Sequence, residues 1–387
     1  MNSTLSARRI NGIGEYYFSS KLQQIDAIRK KGIEVLNLGI GSPDLPPHPA
    51  VIQEFNMAIL EEGAHQYQSY KGLPELRQAI ATWYRQYFQC ELDSEMEILP
   101  LIGSKEGITH ISMSLLDEGD EVLVPNPGYP AYETASKIAG GKVVHYDLLE
   151  ENGYHPNFSE LEKMDLTKVK LMWVNYPHMP TGTSGSDQLF KDLIQFTRNH
   201  NIILINDNPY AFILTKTPGS LLSYRSKEDH VLELNSLSKS HNMAGWRVGM
   251  LLGNQKLIET VLTFKSQVDS GQFKPMLKAA IKALSLDQSW IDEVNKAYRQ
   301  RKNLVHKILD TLNCKYNPDT SGMFVWGQIP PQVESAECFS DWLLEKYKIF
   351  VPPGSIFGSN GKRYIRFSLC SPESVWNETL NRLKETK

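Results

Sequence analysis

Cysteine is scarce in this chain: four among 387 residues, at positions 90, 314, 338 and 370. They are too scattered for a metal knuckle or a CxxC redox pair, so free thiols in a reducing compartment are expected. Long apolar runs are missing as well. The opening stretch, MNSTLSARRINGIGEYYF, lacks the apolar centre of a secretory leader, and no later run reaches the roughly 20 residues of a membrane-spanning helix. A cytoplasmic location with no membrane partner is the expectation. Nor does charge of one sign prevail. Lysine plus arginine number 41 and aspartate plus glutamate 44, a net −3 with the signs interspersed, which argues against a nucleic-acid partner. Internal repeats and low-complexity tracts are also lacking.

What is there is an ordinary globular balance, 41% hydrophobic and 22% charged, over a length that one simple core seldom holds. The runs EILPLI (97–102), EVLVP (121–125), KVVHYDL (142–148), KLMWVN (170–175), IILIN (202–206), VLELN (231–235) and RVGMLLG (247–253) predict strands. Helical patterns fall between them: Ile108, Ile111 and Leu115 recur at helical spacing, and further helices are predicted over 130–139 and 187–199. This alternation predicts an α/β fold, its large domain a mostly parallel sheet of seven strands covered by helices. Ligands in such sheets bind at the carboxyl ends of the strands, where Asn175, Asp207 and Ser236 stand. After residue 285 the texture changes. A helix over 287–313, a strand over 322–330, a helix near 336–347 and strands at 348–352 and 363–369 are predicted. A last helix is expected to open with Ser371 as N-cap and Pro372 at its first position. These elements predict a smaller α+β domain formed by both termini. Residues 1–45 would be an arm and part of that domain, 46–284 the large domain, and 285–387 the remainder of the small one.

The stretch SLSKSHNMAGWRVG (236–249) sets one lysine among small hydroxyl residues. Ser236 and Ser238 offer hydroxyl donors beside Lys239, and Arg247 offers a permanent forked cation suited to phosphate. A lysine near a phosphate site can form a Schiff base with a carbonyl cofactor, and pyridoxal phosphate requires such a lysine. A solvated surface lysine is the alternative. The cofactor would need further parts. A carboxylate must keep its ring nitrogen protonated; INDNPY (205–210) puts Asp207 at a strand end, with Tyr210 placed to hydrogen-bond the ring's phenolate oxygen, unless the pair only forms a turn. Phosphate suits a helix N-terminus, and in IGSKEGITHI (102–111) Ser104 and Lys105 open one, as an anion site or as an ordinary cap. In PNPGYPAY (125–132), Tyr129 would stack on the ring, while Tyr132 reads as packing on the following helix. In YIRFSLC (364–370), Arg366 is either the bidentate partner of a substrate α-carboxylate or an outward-facing strand residue.

Taken together, NLGIGSPD, YKGLPELR, GSKEGI, VPNPGYP, NYPHMPTG, NDNPY, SLSKSHNMAGWRVG, GMFVW, VPPGSIFG and YIRFSLC resemble the class I/II aminotransferases of fold type I, which use pyridoxal 5'-phosphate. The resemblance runs from about residue 15 to the end. It implies that Lys239 carries the Schiff base, Asp207 pairs with the pyridinium, Tyr210 donates to the phenolate oxygen and Tyr129 stacks. Ser104, Lys105, Ser236, Ser238 and Arg247 would surround the phosphate, and Gly41 would offer its backbone to the substrate carboxylate opposite Arg366. A homodimer with shared sites is implied too, with Tyr67 reaching the neighbour's phosphate and Tyr16 closing over the substrate. The activity implied is ping-pong transfer of an amino group between an amino acid and a 2-oxo acid. GSKEGI, PGYPAY and KSQVDSGQF (265–273) are similar to the LL-diaminopimelate aminotransferase-like branch. One position departs from the family: the residue before PTG is normally Asn, and here it is Met179, whose thioether cannot donate a hydrogen bond. Asn175 reads as structural. Two other readings stand beside this one. A β-eliminating C–S lyase would share the lysine, aspartate and arginine, and His178 before Met179 is similar to the lyase motif. A non-catalytic cofactor-sensing regulator would need a basic recognition helix ahead of the fold, and none is evident.

Overall fold

The structure, a computed structural model, describes residues 7–11, 13, 14 and 17–385. Its largest sheet has seven strands. From edge to edge they run Ile98–Leu101, Gly249–Gly253, Val231–Ser236, Ile203–Asp207, Val169–Val174, Glu121–Asn126 and Lys142–Asp147. Neighbours are parallel, except that Gly249–Gly253 runs against the strands on both its sides.

These segments become strands because both of their faces are apolar and both find cover. Successive side chains in a strand point to opposite faces. Val122, Leu171, Ile203, Ile205 and Leu234 pack on one side against Ile108 of the helix Ser104–Leu115, Tyr132 of Pro130–Ile138 and Leu257 of Gln255–Lys265. Leu123, Met172, Leu204, Val231 and Met250 pack on the other, against Ile80 of Pro74–Phe88, Leu193 of Asp187–Asn199 and Leu277 of Lys274–Leu284. Burying each such side chain contributes roughly 1.5–3 kcal/mol, and sheets covered on both faces read as continuous apolar runs. The same parity governs the strand ends. Asp207 continues the row of Ile203 and Ile205, whereas Glu233 shares the row of Val231 and faces the opposite side.

Beyond Leu284 the helix Gln288–Thr311 leads to a small antiparallel sheet in which Phe324–Gln328 pairs with Tyr364–Ser368, Trp326 opposite Arg366. Leu36–Asn37 pairs in parallel with Ile349–Phe350, so the N-terminal segment adds to elements near the C-terminus. Arg301 of the long helix grips Asp44 with two bonds of 2.6 and 2.9 Å.

Two expectations need correction. The last helix is Glu373–Lys384 and its N-cap is Pro372, extended at ψ 156°. Ser371 does not cap it; its hydroxyl turns to the Asn37 carbonyl at 3.5 Å. The strand expected over 247–253 begins only at Gly249, because Arg247 takes a left-handed φ of 57°. Among the described residues no helix is long and apolar enough to cross a membrane.

Candidate active site

A cavity of about 320 Å³ opens at the carboxyl ends of the central strands. The candidate cofactor and substrate residues named above all line it except Tyr67 and Tyr16. Tyr16 lies outside the described residues. Tyr67 is 91% exposed and borders a separate hollow formed by residues 65–68 and 270–273.

The strand Val231–Ser236 ends at the cavity wall and gives way to a single helical turn, Leu237–Ser240. Ser236 is its N-cap, accepting the Ser238 N–H at 3.4 Å. That turn carries Lys239 into the cavity, where Nζ donates to the Gly41 carbonyl. Burial first, then the Arg366 and Arg247 charges, holds the Lys239 amine below the usual lysine range, against opposing pulls from Cys370 and Asp207. A lysine so depressed offers a larger share of free amine near neutrality.

Opposite it, the helix Ser104–Leu115 aims its N-terminus at the cavity. The free N–H groups and macrodipole at such an end favour an anion. Lys105 adds a cation, its amine depressed by burial and by Arg247. Arg247 is braced by the Ala244 and Ile102 carbonyls at 2.9 and 3.5 Å. Gly103 makes this packing possible: at φ 82° any Cβ would lie 2.2 Å from Arg247 Nη2. The result is a cradle of backbone N–H groups and cations that suits an anion. The strand–Gly–Ser–helix junction is readable in the sequence, but the close approach of Arg247 that requires Gly103 there is not.

Asp207 is buried, and its side chain is held from one side only. Tyr132 donates to Oδ2 at 2.8 Å, while Oδ1 has no hydrogen-bond partner among the described residues. Burial pushes the carboxyl up to about 7; Glu233 adds to the rise, and Tyr132 and Lys239 oppose it. A buried acceptor left open in this way fits a protonated ring nitrogen. Tyr129 and Tyr210 flank the same space, Tyr210 edge-on to Phe324 at 5.6 Å. Asn175 is structural as read: its amide bonds the Asp207 carbonyl, and its oxygen accepts the Met179 N–H at 2.7 Å.

Arg366 is not an outward strand residue. It is 4% exposed, sandwiched between Phe324 and Phe357 with ring centroids at 4.0 and 4.5 Å. It donates to the Gly39 carbonyl at 2.7 Å and meets Met179 Sδ at 3.3 Å. Its forked cation is thereby presented beside Gly41, where a carboxylate would be met. His178 does not line the cavity; Nδ1 pairs with Thr181 Oγ1 at 2.8 Å, and burial lowers its ring to about 3, so it stays neutral. An amine, an open carboxylate acceptor, an anion cradle and a forked cation thus converge. This donor set fits pyridoxal phosphate together with an α-amino acid.

Comparisons with known proteins agree. The family model Aminotransferase class I and II matches residues 33–383. An LL-diaminopimelate aminotransferase of Dehalococcoides mccartyi is 36% identical over 383 residues, 98% of each chain. Transaminase BacF of Bacillus subtilis is 36% identical over 370 residues, 95% of this chain and 93% of the relative. The substrate-bound BacF structure matches with TM-score 0.94 at 34% identity, covering 99% of this chain and 98% of that one.

Proposed function

The chain belongs to the class I and II aminotransferases, and we propose on that premise that its cavity moves amino groups between amino acids and 2-oxo acids with pyridoxal phosphate. The observation that carries the reading is the convergence of Lys239, the open Asp207 oxygen, the Ser104 helix end and Arg366 on one cavity. The cofactor, when bound, supplies a carbonyl for the amine and a ring that withdraws electrons from the substrate Cα. Lys239 would be the residue that attaches the cofactor and, as a free amine, the general base that holds the substrate Cα proton. Its depressed basicity suits that work. Asp207 Oδ1 would accept from the ring nitrogen, and Tyr210 would serve the phenolate oxygen. The Ser104–Lys105 helix end, Ser236, Ser238 and Arg247 hold the phosphate, and Tyr129 covers the ring. Arg366, with the Gly41 backbone, would orient the substrate by its α-carboxylate in the cavity that Lys239 enters.

The working form in this reading is a homodimer. The 91% exposure of Tyr67 supports it, since a large aromatic so presented suits a partner's site. The pairing of Leu36–Asn37 with Ile349–Phe350 supports a small domain built from residues 1–45 and 285–387, beside a large one over 46–284. The lyase alternative loses its motif support, because His178 faces Thr181 and not the cavity.

Mixing the loaded enzyme with single amino acids tests the reading. Its visible band should convert with one equivalent of 2-oxo acid released, and a second 2-oxo acid should restore the band. Steady release of pyruvate and ammonia without any acceptor would overturn it in favour of elimination.

A further inference from the structure

The bond from Tyr132 to Asp207 has no part in the reading above. The tyrosine is fully buried, and its ring lies flat on Trp173, with centroids 4.9 Å and planes 6° apart. Tyr129 closes another side, edge-on at 5.6 Å. The hydroxyl therefore has one direction in which to point, toward Oδ2 at 2.8 Å. The Asp207 backbone is held as firmly, paired with Leu234 in the sheet and bonded by Asn175 through its carbonyl. A fixed backbone still leaves the carboxylate free to turn about its side-chain torsions. Engagement of Oδ2 removes that freedom and leaves Oδ1 as the open acceptor.

We propose that Tyr132 is a positioning residue of the transamination site, whose hydroxyl aims Asp207 Oδ1 at the ring nitrogen and keeps the carboxylate charged there. The inference rests on the reading that Asp207 faces that nitrogen. Three groups act on Asp207 besides burial: Tyr132, from the helix Pro130–Ile138, and Lys239 favour its ionised form, while Glu233, on the neighbouring strand, opposes it. Glu233 is a fixed influence, wholly buried and held by Tyr84, Asn206, Asn208, Ser220 and the Leu221 N–H at 2.8–3.3 Å. Lys239 cannot be a constant one, since its amine is committed to the substrate during turnover. Tyr132 is. Its phenol is kept protonated by burial and by the Asp207 charge beside it, so it remains a donor.

Tyr132→Phe keeps the stack on Trp173 and deletes only the hydroxyl. In the full-length cofactor-free chain, the Asp207 carboxyl can be titrated by its infrared C=O stretch, with Asp207→Asn as the blank. Its midpoint should rise by about one unit in Tyr132→Phe, since a donor to the charged form is lost. In the loaded enzyme the ring-nitrogen NMR shift should move toward the unprotonated form, and kcat should fall about tenfold with KM for the amino acid unchanged. Placing 3-fluorotyrosine at position 132, a stronger donor of nearly the same shape, should lower the carboxyl midpoint and retain kcat. An unmoved carboxyl midpoint or an unmoved nitrogen shift in Tyr132→Phe would overturn the inference, whatever happens to Tm. If Asp207→Asn itself leaves nitrogen shift and kcat intact, the reading of Asp207 fails and the inference falls with it, so the two failures are told apart.

Discussion

At the scale of single residues, Met179 stands where the family pattern that the sequence resembles has an asparagine. Its sulfur contacts Arg366 at 3.3 Å, while its backbone is tied to Asn175, so the loop is kept although the amide is lost. An asparagine there would donate to the phenolate oxygen and favour the deprotonated form of the Schiff base. We expect Met179→Asn to move the visible-band titration of the loaded enzyme to lower pH by about half a unit to one unit, a fraction of one charge-assisted hydrogen bond. An unchanged titration with altered amino-acid preference would instead make Met179 a pocket wall. Asp207 carries a pH signature of its own. Its folded carboxyl, raised to about 7, binds its proton more tightly than the unfolded one at 3.8. The stability it lends is fully present below the unfolded value and is lost as pH rises through about 7. Asp207→Asn keeps an acceptor for Tyr132 and has no charge to bury. The cofactor-free variant should therefore match wild type in thermal melts at pH 4 and exceed it at pH 8. A variant less stable at both would show that Asp207 is held charged by contacts stronger than these.

At the scale of elements, most of the core was legible because periodicity reports burial. The helix expected over 187–199 is the helix Asp187–Asn199, opened by the Ser186 cap, and the seven apolar runs became the seven strands. What escaped depended on distant partners. Ser371 looked like a cap, but its hydroxyl is claimed by Asn37, which no local pattern discloses. Tyr132 read as packing, which it is. Its second task became visible only when the row of Ile203 and Ile205 brought Asp207 to the same face. The cationic and hydroxyl residues of the cradle could be named from motifs, whereas the need for bare backbone at Gly103 appears only with Arg247 folded against it. Gly103→Ala should accordingly strain the junction, at roughly 1–3 kcal/mol for the positive-φ, extended backbone alone, and push Arg247 aside. The measurable outcome is a cofactor dissociation constant at least tenfold higher by fluorescence titration, with the amino-acid KM little altered. Unchanged affinity would remove the junction from the phosphate site.

At the scale of the whole molecule, the proposed homodimer with shared sites makes a distinct prediction. Chains bearing Lys239→Ala and chains bearing Tyr67→Ala should each be poor enzymes. Unfolded and refolded together, they should form mixed dimers in which one site combines an intact Lys239 with the partner's intact Tyr67. About half of the wild-type activity per mixed dimer is expected. No recovery, with mixed dimers verified by mass, would put both residues in one chain's site or Tyr67 outside it. The reach of the site along the chain has a further consequence. Arg366 is fastened to the Gly39 carbonyl across 327 positions, and Ser368 donates to Leu38 beside it. Contacts that distant form late, after the loops between them have been closed. During synthesis residue 366 must therefore leave the ribosome before Arg366 can reach Gly39, long after the strands ending in Asp207 and Ser236 have emerged. Nascent chains would therefore carry the strand ends of the proposed cofactor site before the proposed amino-acid subsite is complete.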